Sequence, residues 1–421
     1  IEVNPNEVIQ TVVDGRVHNL KWWDSGGHVP NQERLETFVK DTEKIIKEHF
    51  ALFGTPNWPD YTTVLHLTEK ARGGLEHMNS QTSMMPRQCL FPHHEDEYRD
   101  LVSLFSHEYL HQWNVKRLRP KNFLDYDLQK ETHTDLLWWF EGGTSWLGDM
   151  LCVRSGAWTE DDWRKDFARK MKRHMQSNGM SRESLAESSH DAWIHLYRSG
   201  PYTRESQISY YLEGELALMC LDVELRRRSK DEFGACDLIA EVCRRFSLGA
   251  DSPDGVGVDY TTIRDTLKQV PGGKSMGPYL DRLVKHRHAP NILHALKFFR
   301  LQLIPDSKDT EEKAWLGINT REHNGSVQIT TYHSESPLRE LTEVGDELLA
   351  IDSVRIRDTA HLQRLLKGRI GDSVTLEMTH EGILREVNLE LPSSPRHGVM
   401  LKGKGNARWA AWIRTRQRME E

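Results

Sequence analysis

The chain has 421 residues, of which 37% are hydrophobic and 28% are charged, and its net charge at pH 7 is −7. This length exceeds what one ordinary hydrophobic core holds, so we expect two or three domains. Every apolar run is far shorter than the roughly 20 residues that a membrane span needs, which excludes a membrane span in this sequence. Charges of both signs are interspersed, so the charge pattern gives no sign of a nucleic-acid partner.

The five cysteines are widely spaced and lie mostly inside apolar segments, at Cys89, Cys152, Cys220, Cys236 and Cys243. An odd number at such spacing is typical of buried reduced thiols and not of a disulfide framework, which favours a cytoplasmic location. Because the first residue is Ile1 and not methionine, we expect a fragment whose native N-terminus, with any targeting segment, is missing.

The first 70 residues are predicted to alternate between strands and a helix. Strands are expected at 8–13 and 17–23, a helix with one apolar face at 35–53, and a strand of alternating apolar residues at 61–67. The paired glycines that follow, at positions 73 and 74, predict a bend or a close approach of the backbone.

Helical patterns then dominate from 97 to 300, with breaks near 117–120, 199–201, 251–257 and 271–273. After a polar stretch at 306–313, short alternating apolar segments with glycine turns continue to about residue 392. This change from helical to strand periodicity predicts a domain boundary. We therefore expect five segments, at 1–25, 26–155, 156–305, 312–395 and a C-terminal tail at 396–421.

The central chemical signal is the run His107-Glu108-Tyr109-Leu110-His111. Four residues make slightly more than one helical turn, so both imidazoles project from one face and can share a cation. Glu108 lies on that face too, close enough to polarise a water held by the metal. With 21 histidines in the chain, a chance match is conceivable, so the pattern alone is only moderately specific.

The placement of this run strengthens the interpretation. Leu101, Leu104 and Phe105 form an apolar stripe, and the helical steps that continue it fall on Glu108 and His111. Titratable groups therefore stand where the pattern predicts core residues. Such burial is costly unless a metal or another partner compensates for it.

A hydrolytic zinc site needs three protein ligands and one open position. We expect the third ligand at Glu141, which ends the strongly apolar run 136–140 and is therefore predicted to be shielded from solvent. Taken alone, such a residue is more often a buried structural carboxylate, but a two-histidine helix upstream favours the metal role. Glu131 is the nearest competitor and is predicted to be exposed.

Residues 107–120 read H-E-Y-L-H-Q-W-N-V-K-R-L-R-P. This closely resembles the H-E-[FY]-x-H-x-W-N-x-K-R-[IL]-R-P motif of the glycyl aminopeptidase family of zinc gluzincins. Residues 141–144 resemble the end of that family's W-x-x-E-G-x-T segment, residues 73–77 its G-G-L-E-H segment, and residues 210–214 its Y-Y-x-K-G segment. The four motifs occur in the family's order and span most of the chain.

The resemblance implies a multidomain fold of mixed α/β and β parts: a thermolysin-like catalytic domain, a helical domain and a C-terminal PDZ-like β module. It implies a zinc aminopeptidase with one zinc per chain, held by His107, His111 and Glu141. Glu108 is expected to be the general base and Tyr211 to stabilise the oxyanion.

The same resemblance implies how the substrate binds and where this chain departs from the family. Glu76, together with Gly73 and Gly74, is expected to bind a peptide with a free N-terminus, whose first residue is small, glycine or alanine. Glu213 stands where the family has lysine, which is expected to change the electrostatics around Tyr211. The N-terminal β-domain of the family is expected to be mostly missing, with residues 1–25 as its remnant.

The segment from 314 to about 392 resembles a PDZ domain of the bacterial, protease-associated type. Residues 345–352, G-D-E-L-L-A-I-D, match its strand-turn signature. Consecutive backbone N–H groups in a glycine-containing loop can bind a C-terminal carboxylate, and a strand edge can accept the peptide. The residues expected to form this loop are Trp315, Leu316, Gly317 and Ile318. The pattern is compatible with a module that captures peptides and with a purely structural lid.

These patterns favour a zinc metallopeptidase that removes N-terminal residues from peptides. The main alternative is a non-catalytic PDZ-type peptide-binding scaffold whose metal site is vestigial. A hydrolase of the same class with another substrate, such as an epoxide, is an intermediate alternative.

Overall fold

The computed structural model describes residues 8–198, 200–250, 255–306, 313–323, 325–395 and 397–414. The first part of the described chain forms a five-stranded mixed sheet. Its strands are β1 (Ile9–Val13), β2 (Arg16–Asp24), β3 (Asp60–Thr68), β4 (Gly73–Glu76) and β5 (Ser80–Pro86), in the spatial order β1-β2-β3-β5-β4. The central strands β2, β3 and β5 are parallel, and β1 and β4 pair antiparallel at the two edges.

Two helices, α1 (Gln32–Phe53) and α2 (Glu95–Leu110), pack against this sheet and against each other. The side chain of Asn31 caps α1 by accepting a hydrogen bond from the backbone N–H of Arg34. The apolar residues at helical spacing in α1 are buried, as predicted, and the acidic first turn of α2 suits the positive end of a helix. The predicted helix at 35–53 and the predicted strands at 8–13, 17–23 and 61–67 are therefore confirmed.

The predicted segment 1–25 is continuous with the next segment in the structure. β2 pairs with β3 in parallel register from Val17 and Asp60 to Asp24 and Leu67. The described residues of this segment therefore belong to the same sheet as β3 to β5, and residue 25 does not separate two sheets. Where the domains divide elsewhere in the chain stays a prediction.

Ten helices and one short strand follow in the described chain. Their bounds are α3 (Gly143–Ser155), α4 (Glu160–Met175), α5 (Leu185–His190), α6 (Ala192–His195), α7 (Thr203–Ser206), α8 (Leu212–Ser229), α9 (Ala235–Phe246), α10 (Tyr260–Gln269), α11 (Gly277–Lys285), α12 (Ile292–Phe298) and β6 (Gln302–Pro305). Helices α3 and α8 are almost entirely buried and pack against each other, so they form the centre of the helical part.

The C-terminal module is a β-sheet with one helix and its own hydrophobic core. It contains β7 (Ile318–His323), β8 (Ser326–Tyr332), β9 (Glu347–Ile351), β10 (Val354–Arg355), α13 (Thr359–Leu366), β11 (Ser373–His380) and β12 (Ile383–Glu390). The strand order is β12-β11-β9-β8-β7, with β10 paired to β9. This confirms the predicted change from helices to strands. The polar stretch predicted as the boundary lies mostly outside the described residues.

The described part of the predicted C-terminal tail returns to the helical part. β13 (Val399–Lys402) pairs antiparallel with β6, and α14 (Ala407–Trp412) follows it. Trp409 and Trp412 of α14 are buried against Trp163 and Phe299. This part of the tail therefore contributes to the main core.

All five cysteines are buried and none takes part in a disulfide, as predicted from their spacing. Among the helices of the described residues, none has both the length and the apolar character that crossing a bilayer requires.

Candidate metal centre

The end of α2 presents His107 and His111 towards the interior of the molecule. Leu101, Leu104 and Phe105 are buried on the same helix, and Glu108 and His111 continue their stripe with 4% and 1% exposure. The predicted placement of titratable groups at core positions is thus confirmed. Burying the carboxylate of Glu108 and the imidazole of His111 costs desolvation free energy, which a compensating charge must offset.

Glu141 is positioned by a π-helical turn, Trp138–Gly142, that runs directly into α3. Its side chain is 17% exposed and points towards the two histidines. Single π-helical turns occur frequently at functional sites because they change the direction of side chains within a helix. The competitor Glu131 is exposed, as predicted.

Two glycines allow this turn to lie directly against the start of α8. A Cβ atom on Gly142 would come within 2.6 Å of the Cα of Gly214, and one on Gly214 within 3.0 Å of the Cα of Gly142. Both distances are too short for a side chain. The E-G and Y-Y-L-E-G segments therefore contact each other through backbone, which brings Tyr211 close to Glu141.

Three side-chain atoms converge and form what we term the ligand triangle: Nε2 of His107, Nε2 of His111 and Oε2 of Glu141. The nitrogens are 3.0 Å apart, and the carboxylate oxygen lies 3.2 Å from His107 and 3.3 Å from His111. Nδ1 of His111 lies 2.9 Å from the carbonyl oxygen of Asn114. Because a carbonyl oxygen only accepts, Nδ1 carries the proton and Nε2 presents a lone pair in the neutral ring.

The triangle fits a divalent cation. Ligands at about 2.0 to 2.1 Å from a tetrahedral ion lie about 3.3 Å from one another, close to the three observed separations. Burial lowers the pKa of His111, but the charge and hydrogen bond of Glu141 outweigh it and raise the pKa to about 10. Burial raises the pKa of Glu141, yet the charge of His111 holds it below its ordinary value. The site therefore strongly favours a positive charge, which a metal ion supplies in place of a proton.

Glu108 lies beside the triangle with its carboxylate partly unsatisfied. Burial raises its pKa, and its Oε2 atom is buried without a hydrogen-bond partner in the described residues. A Cβ atom on Gly74 would approach Oε1 of Glu108 to 2.0 Å, so a side chain at position 74 would displace the Glu108 carboxylate. The close backbone approach predicted for the paired glycines is confirmed, although Gly73 has open space around its Cα.

Glu76 ends the edge strand β4 and faces the same site. One of its carboxylate oxygens lies within 4.8 Å of ligand atoms of Glu108 and His111. The ammonium of Lys116 pairs with it at 3.0 Å. Lys116 is a functional candidate that lies within the motif at 107–120, but the sequence alone does not single it out.

Tyr211 precedes α8 and lies next to the triangle, with its ring centroid 6.2 Å from that of His107. Burial, followed by the nearby charge of Glu141, raises the pKa of its hydroxyl, so the hydroxyl is a donor at neutral pH. Glu213 is buried and pairs with His174 at 2.8 Å. The expected influence of Glu213 on Tyr211 therefore acts from a carboxylate that already has a partner.

A cavity of about 720 Å³ extends from His107 and from Gly73 and Gly74 of β4 into a charged interior. The side chains that line it include those of His107, Glu108, Tyr211, Asp149, Asp166, Lys170 and Glu215. Of the triangle, His107 lines this cavity, so a ligand in the cavity can reach that histidine.

The residues expected to bind a peptide carboxylate do not join this site. Trp315, Leu316, Gly317 and Ile318 lie in the separate C-terminal module, where Ile318 begins the edge strand β7. His333 donates its backbone N–H to the carbonyl of Gly317. Gly317 has a φ of +69°, and a Cβ atom there would meet Ser336 at 2.6 Å, so this loop requires glycine.

Comparison with known proteins places these features in context. Residues 100–217 match the profile of the M61 glycyl aminopeptidase family, and residues 314–391 match that of the PDZ domain. The structure of an aminopeptidase N family protein from Idiomarina loihiensis superposes with a TM-score of 0.85 at 26% identity, covering 97% of this chain and 70% of that chain. No curated protein matches the chain.

Two further solved structures are similar to a smaller extent. An M1 zinc metallopeptidase from Deinococcus radiodurans gives a TM-score of 0.37 at 14% identity, covering 68% of this chain and 52% of that chain. The HtrA-type protease AlgW gives 0.19 at 16% identity, covering 20% and 30%.

The fold is that of a thermolysin-like peptidase with an added β module. More specifically, the chain carries a peptidase domain of the M61 glycyl aminopeptidase family together with a PDZ domain, which confirms the resemblance. The family match and the superposition support a hydrolase that acts as a peptidase.

Proposed function

We propose that this chain is a zinc-dependent aminopeptidase that hydrolyses the first residue, glycine or alanine, from peptides. The observation that carries the proposal is the ligand triangle, in which two imidazole nitrogens and a carboxylate oxygen lie 3.0 to 3.3 Å apart. Two nitrogens and one oxygen form a donor set typical of catalytic zinc, with one position left for a water.

His107, His111 and Glu141 would hold one zinc ion per chain. Bound zinc would polarise the scissile carbonyl and lower the pKa of a water to about 7. Glu108 accepts the proton of that water and passes it to the leaving amine, because its carboxylate is buried beside the triangle and has an unsatisfied oxygen. Its raised pKa suits a group that must first accept and then return a proton.

Tyr211 donates a hydrogen bond to the negative charge that develops on the carbonyl oxygen, an interaction worth about 3 to 4 kcal/mol in comparable sites. Glu76 binds the free α-ammonium of the substrate, and the edge strand from Gly73 to Glu76 holds its backbone. An ammonium bound there places the first peptide bond, and no later one, at the triangle, which makes the enzyme an exopeptidase.

The PDZ domain binds the C-termini of peptides in this proposal, through the loop from Trp315 to Ile318. β7 is the edge strand of its sheet and can accept an extended peptide by β-augmentation. This part of the proposal is independent of the zinc site, since the two regions have separate hydrophobic cores.

The deciding experiment combines elemental analysis of the purified chain with turnover of unblocked glycine and alanine arylamides. We expect one zinc per chain and hydrolysis that acetylation of the substrate's amino group removes. Glu108→Gln should keep the zinc and lose turnover, whereas Glu131→Gln, on an exposed residue, should keep both. Efficient cleavage of acetylated peptides, or an active Glu108→Gln variant, would contradict the proposal. Stoichiometric zinc without turnover would instead favour the peptide-binding scaffold.

A further inference from the structure

The carboxylate that we assign to the substrate's ammonium already has an ammonium partner within the chain. Nζ of Lys116 lies 3.0 Å from Oε1 of Glu76, and the two side chains are 28% and 19% exposed. The pair is thus shielded enough to form a charge-assisted hydrogen bond and open enough for a ligand to reach it. The proximity of Glu76 to Glu108 makes a cation at this point favourable.

Lys116 is presented by a loop that hydrogen bonds of His111 and Asn114 hold in place. The backbone N–H of Lys116 donates to the carbonyl of His111 at 2.9 Å, and the ring of His111 donates to the carbonyl of Asn114. The side chain of Asn114 donates in turn to the carbonyl of Trp139 and to Thr144, on the segment that carries Glu141.

The residue before Lys116 is also held in an unusual conformation. Val115 has a φ of +150°, which a β-branched residue rarely adopts and which persists only where the surroundings impose it. Such outliers cluster at functional sites. The neighbouring Arg117 is engaged elsewhere, with the carbonyls of Met78 and Gln112, so the position of Lys116 is the one that serves Glu76.

We propose that Lys116 is a specificity-determining residue. Its ammonium pairs with the carboxylate of Glu76 in the free enzyme, and the α-ammonium of the substrate displaces it. This inference rests on the proposed function, in which Glu76 binds that ammonium. Since Lys116 competes for the same carboxylate, only a ligand with a full positive charge at its N-terminus displaces it. Its return to Glu76 after hydrolysis expels the product amino acid, which carries an ammonium too.

The test is a comparison of variants of the full zinc-loaded chain. Lys116→Met keeps the length of the side chain and removes its charge. We expect KM for alanine arylamide to fall by about tenfold, as the loss of one charge-assisted hydrogen-bond competitor implies, with kcat unchanged or lower because product release slows. Lys116→Arg restores a cation and should return KM towards the wild-type value. Lys121→Met is the matched control, because Lys121 makes a similar ion pair, 2.7 Å from Asp259, five residues further on.

A second measurement separates this inference from the proposed function. Binding of L-alaninamide is followed by calorimetry in the wild type and in Lys116→Met, and it requires no turnover. We expect the variant to bind about tenfold more tightly. Unchanged or weaker alaninamide binding, or a KM that rises, would overturn the inference and leave Lys116 with a merely structural role. Absence of turnover in the zinc-loaded wild type would refute the proposed function. The alaninamide comparison would still test whether Lys116 competes for Glu76.

Discussion

Two groups of largely buried titratable side chains lie near the same cavity, and each group balances its charge in a different way. The first is the ligand triangle of His107, His111 and Glu141. The second, which we term the lysine cluster, consists of Lys170 with Asp149, Asp166 and Glu215. Lys170 lies 2.8 Å from Asp166 and 2.6 Å from Glu215 and also contacts Asp149.

The difference between the groups is the source of the positive charge. Buried carboxylates are stable only beside a compensating charge. In the lysine cluster the positive charge is the ammonium of Lys170, a member of the cluster. The three ligand atoms of the triangle converge on one point, and none of its members is a permanently charged cation. Helix α3 serves both, because Ser145 lies 3.3 Å from Nδ1 of His107 and Asp149 contacts Lys170. Helix α3 thus contributes to two sites: the lysine cluster, which contains its own cation, and the triangle, which requires a bound ion.

The largest predicted effect is on the lysine cluster. Lys170→Met removes the cation that Asp149 and Glu215 share, while Asp166 keeps its ion pair with Arg169. We expect the free energy of unfolding to fall by about 3 to 5 kcal/mol. Urea unfolding measures this, and Lys172→Met, on the exposed side of the same helix, should change it by less than about 0.5 kcal/mol. A Lys170→Met variant as stable as the control would show that the cluster does not depend on its lysine.

The next effect concerns Tyr211, which lies beside the triangle and not in the lysine cluster. Tyr211→Phe should lower kcat by about 100-fold or more and change KM little, since the hydroxyl acts on charge that develops during the reaction. Steady-state kinetics on unblocked arylamides measures both constants. Tyr126→Phe, on an exposed tyrosine, is the control. If only KM changed, Tyr211 would be a binding residue.

A similar effect is expected when the triangle receives its ion. Zinc at a hundredfold excess over its Kd should raise the free energy of unfolding by about 2.7 kcal/mol, because it binds the folded state. Glu141→Ala should remove this response, and Glu131→Ala should retain it. Thermal or urea unfolding with and without zinc measures the difference. Equal stabilisation of both variants would mean that zinc binds elsewhere.

The smallest effect is a pH dependence that belongs to the lysine cluster. Burial raises the pKa of Glu215 to about 7, against the opposing charge of Lys170. An acid whose pKa is higher in the folded state binds more protons there, so its contribution to stability falls as pH rises from about 4.5 to 7. Glu215→Gln should flatten this decline by about 1 kcal/mol or more. Urea midpoints at several pH values test this, with Glu232→Gln as an exposed control; parallel profiles would contradict it.

What the sequence predicts well is what depends on neighbours along the chain. The strands at 8–13 and 61–67 and the helix at 35–53 follow from local periodicity, and His107 and His111 meet because one helical turn separates them. The apolar surroundings of Glu141 and its place in the family motif predict it as the third ligand. The structure brings it to 3.2 Å from His107, which lies 34 positions earlier in the chain.

What the sequence does not predict depends on distant contacts. The continuation of β2 into the sheet of β3, the pairing of Lys116 with Glu76 and the lysine cluster each join elements that are far apart along the chain. The indole of Trp412 donates to Asp222, 190 positions away, so nothing in the local pattern of the predicted tail indicates a core helix. The sequence gives the composition of such segments, but it does not show which distant segments they contact.

The π-helical turn from Trp138 to Gly142 has a consequence for the tolerance of this region to insertions and deletions. A π-helical turn amounts to one surplus residue within a helix. Removing one residue upstream of Glu141 would let the segment relax into a regular α-helix and rotate the carboxylate by about 100° around the axis, the angular step of one residue. Chain length in this short stretch is therefore as strictly fixed as the identity of the glutamate, and a protein that kept every motif but lost one residue here would direct the third ligand away from the histidines.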